Sequence, residues 1–209
     1  MKLVLTGEVG AGKSSARHFF ETLGWHTLSA DDVVHQLWKD PHLQALAAQQ
    51  WGDDLFIDGQ LQRPLLAQRA FLDEANRTKL NSLLHPRVRA YTARWVEDKS
   101  RAVVEIPLAF EAGLPLWCQG VLFLYAPDSL RQERNAYRMT AEDMEHREQG
   151  FLPRPWRMKQ SDWVYENSGT LEDLRHFVET VSLEASILDE LDQGRGLKVA
   201  QLREMRSEG

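Results

Sequence analysis

The stretch LVLTGEVGAGKSS, residues 3–15, contains the residue types that bind a nucleotide phosphate. Gly7, four further residues, Gly12, Lys13 and Ser14 have the spacing of a phosphate-binding loop, between a strand-like apolar run and a helix-like segment. The glycines, Gly10 included, let the loop turn its N–H groups inward. Lys13 is placed to reach the β- and γ-phosphates, and the Ser14 hydroxyl to bind Mg²⁺. The stretch therefore predicts a nucleotide site.

Glu8 is an acidic residue inside this loop. A carboxylate there would repel a bound phosphate, because like charges raise each other's energy. We therefore expect the Glu8 side chain to point to solvent.

The sequence favours a small-molecule kinase over a GTPase. The Asn-Lys-x-Asp motif that reads guanine and the Asp-x-x-Gly motif that senses the γ-phosphate do not occur. A kinase needs a base for the acceptor hydroxyl, cations for the transferring phosphoryl group and a lid that excludes water. Candidates for all of these are present.

Asp31 and Asp32 are the candidates for the base. They follow a second strand-like run, 25–30, and ligands in open parallel sheets bind beyond the carboxyl ends of the strands. An acid at that edge can reach the γ-phosphate region. Alternatively, the two residues cap the helix that follows, a position that Asp favours. One of them can cap while the other is catalytic.

Arginines are the candidate cations. Arg131, Arg134 and Arg138 lie on a predicted helix, 129–138, where Arg134 and Arg138 are four residues apart and share a face. Arginine suits spread phosphoryl charge because it is planar and always charged. The alternative is a solvated basic face paired with nearby glutamates. Further arginines at 147, 154 and 157 lie in a segment punctuated by Pro and Gly, which is typical of a mobile lid.

Two other residues are candidates for chemistry. Glu105 closes an apolar run, 102–106, where nucleotide-binding proteins often carry an acid that holds Mg²⁺ through water; a buried charge there otherwise needs a partner. His85 precedes Pro86, and we interpret it as a structural turn residue rather than a catalyst.

The whole chain is typical of a globular protein. It has 209 residues, 43% of them hydrophobic, and a net charge of −6, which predicts no general attraction for nucleic acid. No run approaches the roughly 20 apolar residues that span a bilayer. Cys118 is the only cysteine, so we expect a buried structural thiol and no disulfide. These features favour a cytoplasmic protein.

Strand-like and helix-like segments alternate, which predicts an α/β fold with a parallel sheet. The strands are expected at 2–6, 25–30, 102–106, 120–125 and 163–166, with helices at 14–23, 129–138 and from 170. Residues 41–98 read as mostly helical, with breaks at 52–59 and at His85-Pro86. The end, from about 185, reads as a peripheral helix with a frayed tail.

The chain resembles the dephospho-coenzyme A kinase family over roughly residues 2–181. The shared segments are LTGEVGAGKSS, SADDVVHQL, DGQLQRPLLAQRAF, LLHPRVR, EIPLAFEAGL and WVYENSGTLEDL. The resemblance implies ATP-dependent phosphorylation, with Mg²⁺, of the ribose 3′-hydroxyl of dephospho-coenzyme A. It also implies a five-stranded P-loop core, a helical acceptor-binding insertion and a lid.

Position by position, the resemblance implies roles for individual residues. ATP phosphates fall to Gly10, Ala11, Gly12, Lys13, Ser14 and Ser15, and the loop near adenine to Asn167 and Gly169. The catalytic set is Asp31, Lys13 and Arg134, since Asp31 matches the second Asp of an Asp-x-Asp motif. Magnesium falls to Ser14 and Glu105, and the acceptor side to His85, Pro107, Leu108 and Glu111. The chain departs from the family at Ser29, the first position of that motif, and at Glu8, where a small residue is usual.

The resulting organisation is one P-loop kinase domain. Its core covers about 1–40, 100–138 and 160–184, the insertion 41–98, the lid 139–160 and the tail 185–209. We expect a small-molecule substrate, no nucleic-acid or membrane partner, and a monomer or weak homo-oligomer. The alternatives are a related nucleoside or nucleotide kinase with another acceptor, and a nucleotide-binding regulator with weakened catalysis.

Overall fold

The computed structural model describes residues 1–58, 60–70, 72–148 and 150–207, except for the side chains at 146 and 205–207. Its strands, in chain order, are β1 (Lys2–Gly7), β2 (His26–Ser29), β3 (Phe56–Ile57), β4 (Gln60–Leu61), β5 (Ala102–Glu105), β6 (Gly120–Tyr125) and β7 (Trp163–Glu166). Its α-helices are α1 (Lys13–Thr22), α2 (Ala30–Leu37), α3 (Pro41–Trp51), α4 (Arg63–Ala70), α5 (Glu74–Glu97), α6 (Asp128–Asn135), α7 (Ala141–Glu148), α8 (Arg154–Lys159), α9 (Leu171–Asp192) and α10 (Val199–Ser207). A 3-10 turn covers Asp53–Leu55.

The chain divides into two compact units. The first comprises Met1–Ser29 and Trp95–Gly209, and the second comprises Ala30–Arg94. The second unit thus begins before residue 41, where the sequence pattern placed the start of the helical insertion.

The first unit contains a five-stranded parallel sheet in the order β2-β5-β1-β6-β7. This confirms the predicted sheet. Leu3, Val4 and Leu5 of the central strand are all buried, as expected for a strand covered on both faces. Because the strands are parallel, the carboxyl ends of β1, β5 and β6 meet at one edge of the sheet.

Helices α1 and α9 pack on the sheet through one apolar cluster. Phe20 of α1 meets Trp25 edge to face, with ring centroids 5.4 Å apart. The indole N–H of Trp25 donates to Ser182 Oγ of α9 at 2.8 Å. Helix α9 begins at a capping box in which Thr170 and Asp173 exchange hydrogen bonds.

Helix α10 packs on the core, and the prediction of a frayed tail is wrong for this helix. Val199 and Leu202 of α10 are fully buried in the main apolar cluster. The Asp192 carboxylate at the end of α9 accepts the N–H groups of Gly196 and Leu197, which turns the chain back towards the core. The sequence did not predict this return to the core, because a glycine-rich, charged segment is typical of a flexible tail.

The second unit is mostly helical around its own apolar cluster. Strands β3 and β4 form a short antiparallel hairpin within it, in the region predicted as a break. The predicted break at His85-Pro86 is wrong, because α5 runs through Pro86. Leu80 and Leu84, one turn apart, are buried in this cluster, and we attribute the continuity to that packing.

Cys118 is buried, as predicted, and its thiol donates to the carbonyl of Gly120 at 3.3 Å. Burial raises the pKa of the Cys118 thiol to about 12. Within the described residues, no helix is long and apolar enough to cross a membrane.

Candidate active site

The loop between β1 and α1 has the backbone conformation that phosphate binding needs. Gly7 has φ 144°, and a Cβ there would lie 2.0 Å from the carbonyl oxygen of Leu124 on β6. Gly12, in the left-handed region at φ 95°, precedes α1, and a Cβ there would lie 2.4 Å from Asn167 Nδ2. Glycine is thus required at both positions, for steric and conformational reasons.

Helix α1 presents its N-terminus to this loop. Gly12 provides no side-chain cap, and the first turn contains no acidic residue. The N–H groups and the positive end of the helix dipole are therefore available to an anion. Ser14 is exposed in that first turn, and Ser15 lies beside it.

Lys13 folds back over the loop. Its Nζ donates to the carbonyls of Gly7 at 3.1 Å and of Glu8 at 2.8 Å. This holds the ammonium group above the loop that is predicted to receive the β- and γ-phosphates.

Asn167 connects the phosphate loop to the region after β7. Its side-chain amide donates to the carbonyl of Ala11 at 2.9 Å, and its own carbonyl accepts from Arg134 Nη1 at 3.0 Å. The structure thus brings three of the predicted site residues together. Gly169, two residues further along, lies in an exposed turn beside Asp173.

The second unit contains a shallow pocket of about 420 Å³ and the first unit one of about 370 Å³. The first-unit pocket is lined by Ser14, Ser15, His18, Phe19 and Leu171. It lies next to the start of α1.

Glu105 is buried at the carboxyl end of β5, in register with Leu5 of β1 and Ser29 of β2. Its carboxylate lies 3.4 Å from Arg17 Nε of α1. This ion pair supplies the partner that a buried acid needs.

The oxygen donors of Ser14 and Glu105 fit Mg²⁺, which binds proteins through one or two oxygens and takes its other ligands from phosphate and water. Among the described residues, no three or more His, Cys, Asp or Glu side chains gather as a metal site. The binding mode above does not require such a cluster.

The prediction that the Glu8 side chain points to solvent is wrong. Its side chain is only 4% exposed and does not point to solvent. Arg154 Nε and Nη2 donate to its two carboxylate oxygens at 2.6 and 3.1 Å, while Arg131 and Arg157 approach to 3.5 and 3.6 Å. The repulsion expected of a carboxylate in this loop is thus offset by three guanidinium groups.

Arg131 and Arg138 behave differently from one another on the same part of the chain. Arg131 is buried and pairs with Asp128 and Glu148, at 2.8 and 2.6 Å. Arg138 is exposed and lies over the ring of Tyr137. Arg131 and Arg134, the two arginines of α6, thus make specific contacts within the protein, whereas Arg138 lies beyond the end of that helix.

One of the residues predicted for the acceptor side after β5, Glu111, contacts the predicted lid segment. Glu111 accepts the N–H of Leu152 at 2.8 Å, and Phe110 meets Trp156 edge to face at 5.6 Å. The carbonyl of Pro107 accepts from the Thr6 hydroxyl at 3.0 Å, and Leu108 is partly exposed.

Asp31, Asp32 and His85 belong to the second unit. Both aspartates are exposed in the first turn of α2, directly after β2. His85 is half-buried on α5 and lines the pocket of that unit with Asn81, Pro86 and Arg89. Burial, with a smaller contribution from Arg89, lowers the pKa of His85. A helical position replaces the turn predicted for it.

The sequence pattern did not predict the cluster that Glu8 forms with Arg131, Arg154 and Arg157, or the pairing of Glu148 with Arg131. The signal was present, since an isolated acid in a predicted anion-binding loop requires compensation and a stretch rich in arginine follows later in the chain. Pairing them needed the fold, because Glu8 and Arg154 are 146 residues apart.

A sequence profile of the dephospho-CoA kinase family matches residues 1–173. The chain belongs to the dephospho-CoA kinase family. The dephospho-CoA kinase of Idiomarina loihiensis is 35% identical over 181 residues, which cover 83% of this chain and 89% of that protein. That of Corynebacterium glutamicum is 33% identical over 202 residues, covering 92% and 100%. The solved dephospho-CoA kinase from Campylobacter jejuni has the same fold, with a TM-score of 0.66, 24% identity and coverage of 89% and 98%.

Family membership accounts for the arrangement around the phosphate loop. The dephospho-CoA kinase family consists of P-loop kinases, which use ATP as the phosphoryl donor, and it acts in the last step of coenzyme A biosynthesis. The loop, Lys13 and the start of α1 are the parts that such a kinase uses on the donor side.

Proposed function

We propose that this chain transfers the γ-phosphoryl group of ATP to the ribose 3′-hydroxyl of dephospho-coenzyme A. The observation that carries this proposal is the conformation of the phosphate loop, with Lys13 folded over it, in a chain that belongs to this family. In the reaction the 3′-oxygen bonds to the γ-phosphorus, the bond to the β–γ bridging oxygen breaks, and ADP and coenzyme A are the products.

The residues act by positioning and charge. The loop N–H groups and Lys13 hold the donor phosphates, and Arg134 contributes charge from α6. Asn167 and Gly169 border the nucleotide, while His85, Pro107, Leu108 and Glu111 border the acceptor. Asp31 accepts the proton of the 3′-hydroxyl as attack begins. Ser14 and Glu105 would hold Mg²⁺, which neutralises phosphate charge when bound.

Other properties follow from the same proposal. The net charge of −6 supports a small-molecule substrate and no nucleic-acid partner. We place the reaction in the cytoplasm, and we expect the chain to act as a monomer or weak homo-oligomer.

A coupled ADP-release assay with Mg-ATP tests the proposal over a panel of dephospho-coenzyme A, nucleosides and nucleoside monophosphates. We expect dephospho-coenzyme A to be the preferred acceptor, with its 3′-phosphorylated product identified by mass spectrometry and phosphorus NMR. Lys13→Ala, purified in the same way, is the blank and should show no transfer while keeping the wild-type circular dichroism spectrum. Preference for another acceptor, or ADP release that ignores every acceptor, would contradict the assignment.

A further inference from the structure

One residue of the phosphate loop contacts both a loop cation and a distant arginine. The Glu8 backbone carbonyl accepts from Lys13 Nζ at 2.8 Å, and its carboxylate accepts two hydrogen bonds from Arg154. Lys13 and Arg154 are thus both hydrogen-bonded to Glu8, Lys13 to its backbone and Arg154 to its side chain.

The three arginines around Glu8 differ in their freedom to move. Arg157 is buried, and its guanidinium lies about 5 Å from the rings of both Phe123 and Phe151. Arg131 is held by the Val9 carbonyl, Asp128 and Glu148. Arg154 is 38% exposed, so it is the most accessible of the three to a ligand.

The carboxylate of Glu8 lies beside two buried guanidinium groups whose hydrogen bonding is incomplete. The Nε atoms of Arg131 and Arg157 are buried and have no hydrogen-bond partner among the described residues. Burial lowers the pKa of Arg157, which shows the cost of holding its charge there. Both guanidinium groups lie within 3.6 Å of the Glu8 carboxylate, which compensates the charge of Arg157 and adds to the pairing of Arg131 with Asp128 and Glu148.

Glu148 makes a second connection between the loop and the predicted lid segment. Its carboxylate accepts the N–H of Val9 at 2.9 Å and also pairs with Arg131. Residues on either side of the segment 150–153 are therefore attached to the phosphate loop, by Glu148 at one end and by Arg154 at the other.

We propose that Glu8 is a positioning residue of the phosphoryl-transfer site, holding Arg154 beside Lys13 so that its guanidinium contacts the transferring phosphoryl group. Two cations fixed before the substrate binds need not reorganise in the transition state, where the charge they stabilise is spread over the phosphoryl oxygens. This rests on the proposed kinase function and adds Arg154 to its cationic groups.

The test compares steady-state kinetics of Glu8→Gln, Glu8→Asp, Arg154→Gln and the double variant Glu8→Gln/Arg154→Gln. We expect Glu8→Gln to lower kcat by at least about tenfold and to leave KM for dephospho-coenzyme A within about twofold, because it removes transition-state charge placement. Glu8→Asp keeps the charge and should restore a large part of kcat. The kcat of the double variant should lie within about twofold of that of Arg154→Gln, because both single changes remove the same Glu8–Arg154 interaction.

Asp128→Asn is the matched control. It removes another carboxylate that contacts Arg131 and Arg154, but an exposed one, and should leave kcat within about twofold. The proposal is overturned if Glu8→Gln keeps or raises kcat, or if the effects of Glu8→Gln and Arg154→Gln multiply in the double variant. A fall in kcat that Glu8→Asp does not relieve at all would also overturn it, by showing a requirement for side-chain volume alone.

Two measurements keep the test decisive in other cases. If Glu8→Gln does not fold, kcat is compared between Arg154→Lys, which keeps the positive charge, and Arg154→Gln, which removes it. Equal kcat values overturn the proposal, because they would show that a cation beside Glu8 does not contribute to the rate. If the wild type fails to phosphorylate dephospho-coenzyme A, the proposed function has failed; hydrogen exchange over 150–160 without nucleotide then decides. Faster exchange in Glu8→Gln than in Asp128→Asn supports the positioning role, and equal exchange overturns it.

Discussion

The side-chain amide of Asn167 donates to the carbonyl of Ala11, which is 156 residues away in the chain, at 2.9 Å. The same asparagine accepts from Arg134 through its backbone carbonyl. One buried residue that follows β7 therefore contacts both the phosphate loop and Arg134 of α6.

Asn167→Ala tests this connection. The change leaves the Ala11 carbonyl without its donor and should lower the free energy of unfolding by about 1–3 kcal/mol. It should raise KM for ATP by about tenfold, because the loop no longer starts in its binding conformation. Urea unfolding and ATP titration kinetics measure the two effects. Ser168→Ala, at the exposed neighbouring position, should change neither; if both variants matched the wild type, the contact would have no functional weight.

Helix α10 gives a prediction about stability. Leu202 is fully buried with residues of β1 and β7, so Leu202→Ala should lower the free energy of unfolding by about 2–5 kcal/mol. The active site is elsewhere, and kcat should stay near the wild-type value at temperatures where the variant is folded. Ala200→Gln at an exposed position of the same helix serves as the control. Equal unfolding midpoints for the two variants would show that α10 does not pack on the core in solution.

The sequence pattern predicted those strands and loops whose conformation depends mainly on residues close in sequence. The apolar runs became β1, β5, β6 and β7, and the glycine spacing placed the phosphate loop correctly because loop conformation is set within a few residues. Pro86 misled for the opposite reason, since a proline inside a helix is tolerated when packing on the same helix stabilises it.

Long-range pairing set what the sequence did not predict. Glu8 was expected in solvent because a carboxylate in this loop would repel a bound phosphate. Its arginine partners come from α6 and α8, far along the chain, and nothing near Glu8 in the sequence indicates them. Val199 and Leu202 looked like part of a charged tail, yet the turn made by Asp192 returns them to the core. In each case the side chain's own neighbours in sequence were polar or flexible, and only the fold supplied its environment.

The Cys118 thiol predicts how stability depends on pH. Burial raises its pKa from 9.0 to about 12 in the folded protein, so the unfolded chain loses this proton at lower pH than the folded chain. The stabilisation is fully present below pH 9 and is lost as the pH rises from 9 towards 12. The linked loss is about 1.4 kcal/mol at pH 10.

Urea unfolding between pH 7 and pH 10.5 measures this loss. Lysines and tyrosines also titrate there, so Cys118→Ala is the reference, and the difference between the two slopes isolates the thiol. Parallel pH curves for wild type and Cys118→Ala would refute the raised pKa. In the native wild type at pH 8 we also expect a thiol reagent to react only at the rate of unfolding.

The remaining prediction concerns the base. Asp31 lies in the first turn of α2, two residues after the carboxyl end of β2, and the resemblance described above implies that it is the second acid of the family motif. Asp31→Asn keeps the size of the side chain and an oxygen that accepts hydrogen bonds, but removes its charge and basicity. We expect kcat to fall by about 10²–10⁴-fold while KM for ATP changes little, as for loss of a general base.

Asp32→Asn is the internal control for this change, because Asp32 is another exposed acid in the same helical turn. If Asp32 only supports the start of α2, its loss should cost little activity and at most about 1 kcal/mol of stability. Steady-state kinetics with dephospho-coenzyme A and thermal unfolding of both variants distinguish the two roles. Full kcat in Asp31→Asn together with an inactive Asp32→Asn would move the base to Asp32. Activity retained by both variants would mean that proton removal at this position contributes nothing to the rate, and that the reaction depends on cation placement around the phosphate loop alone.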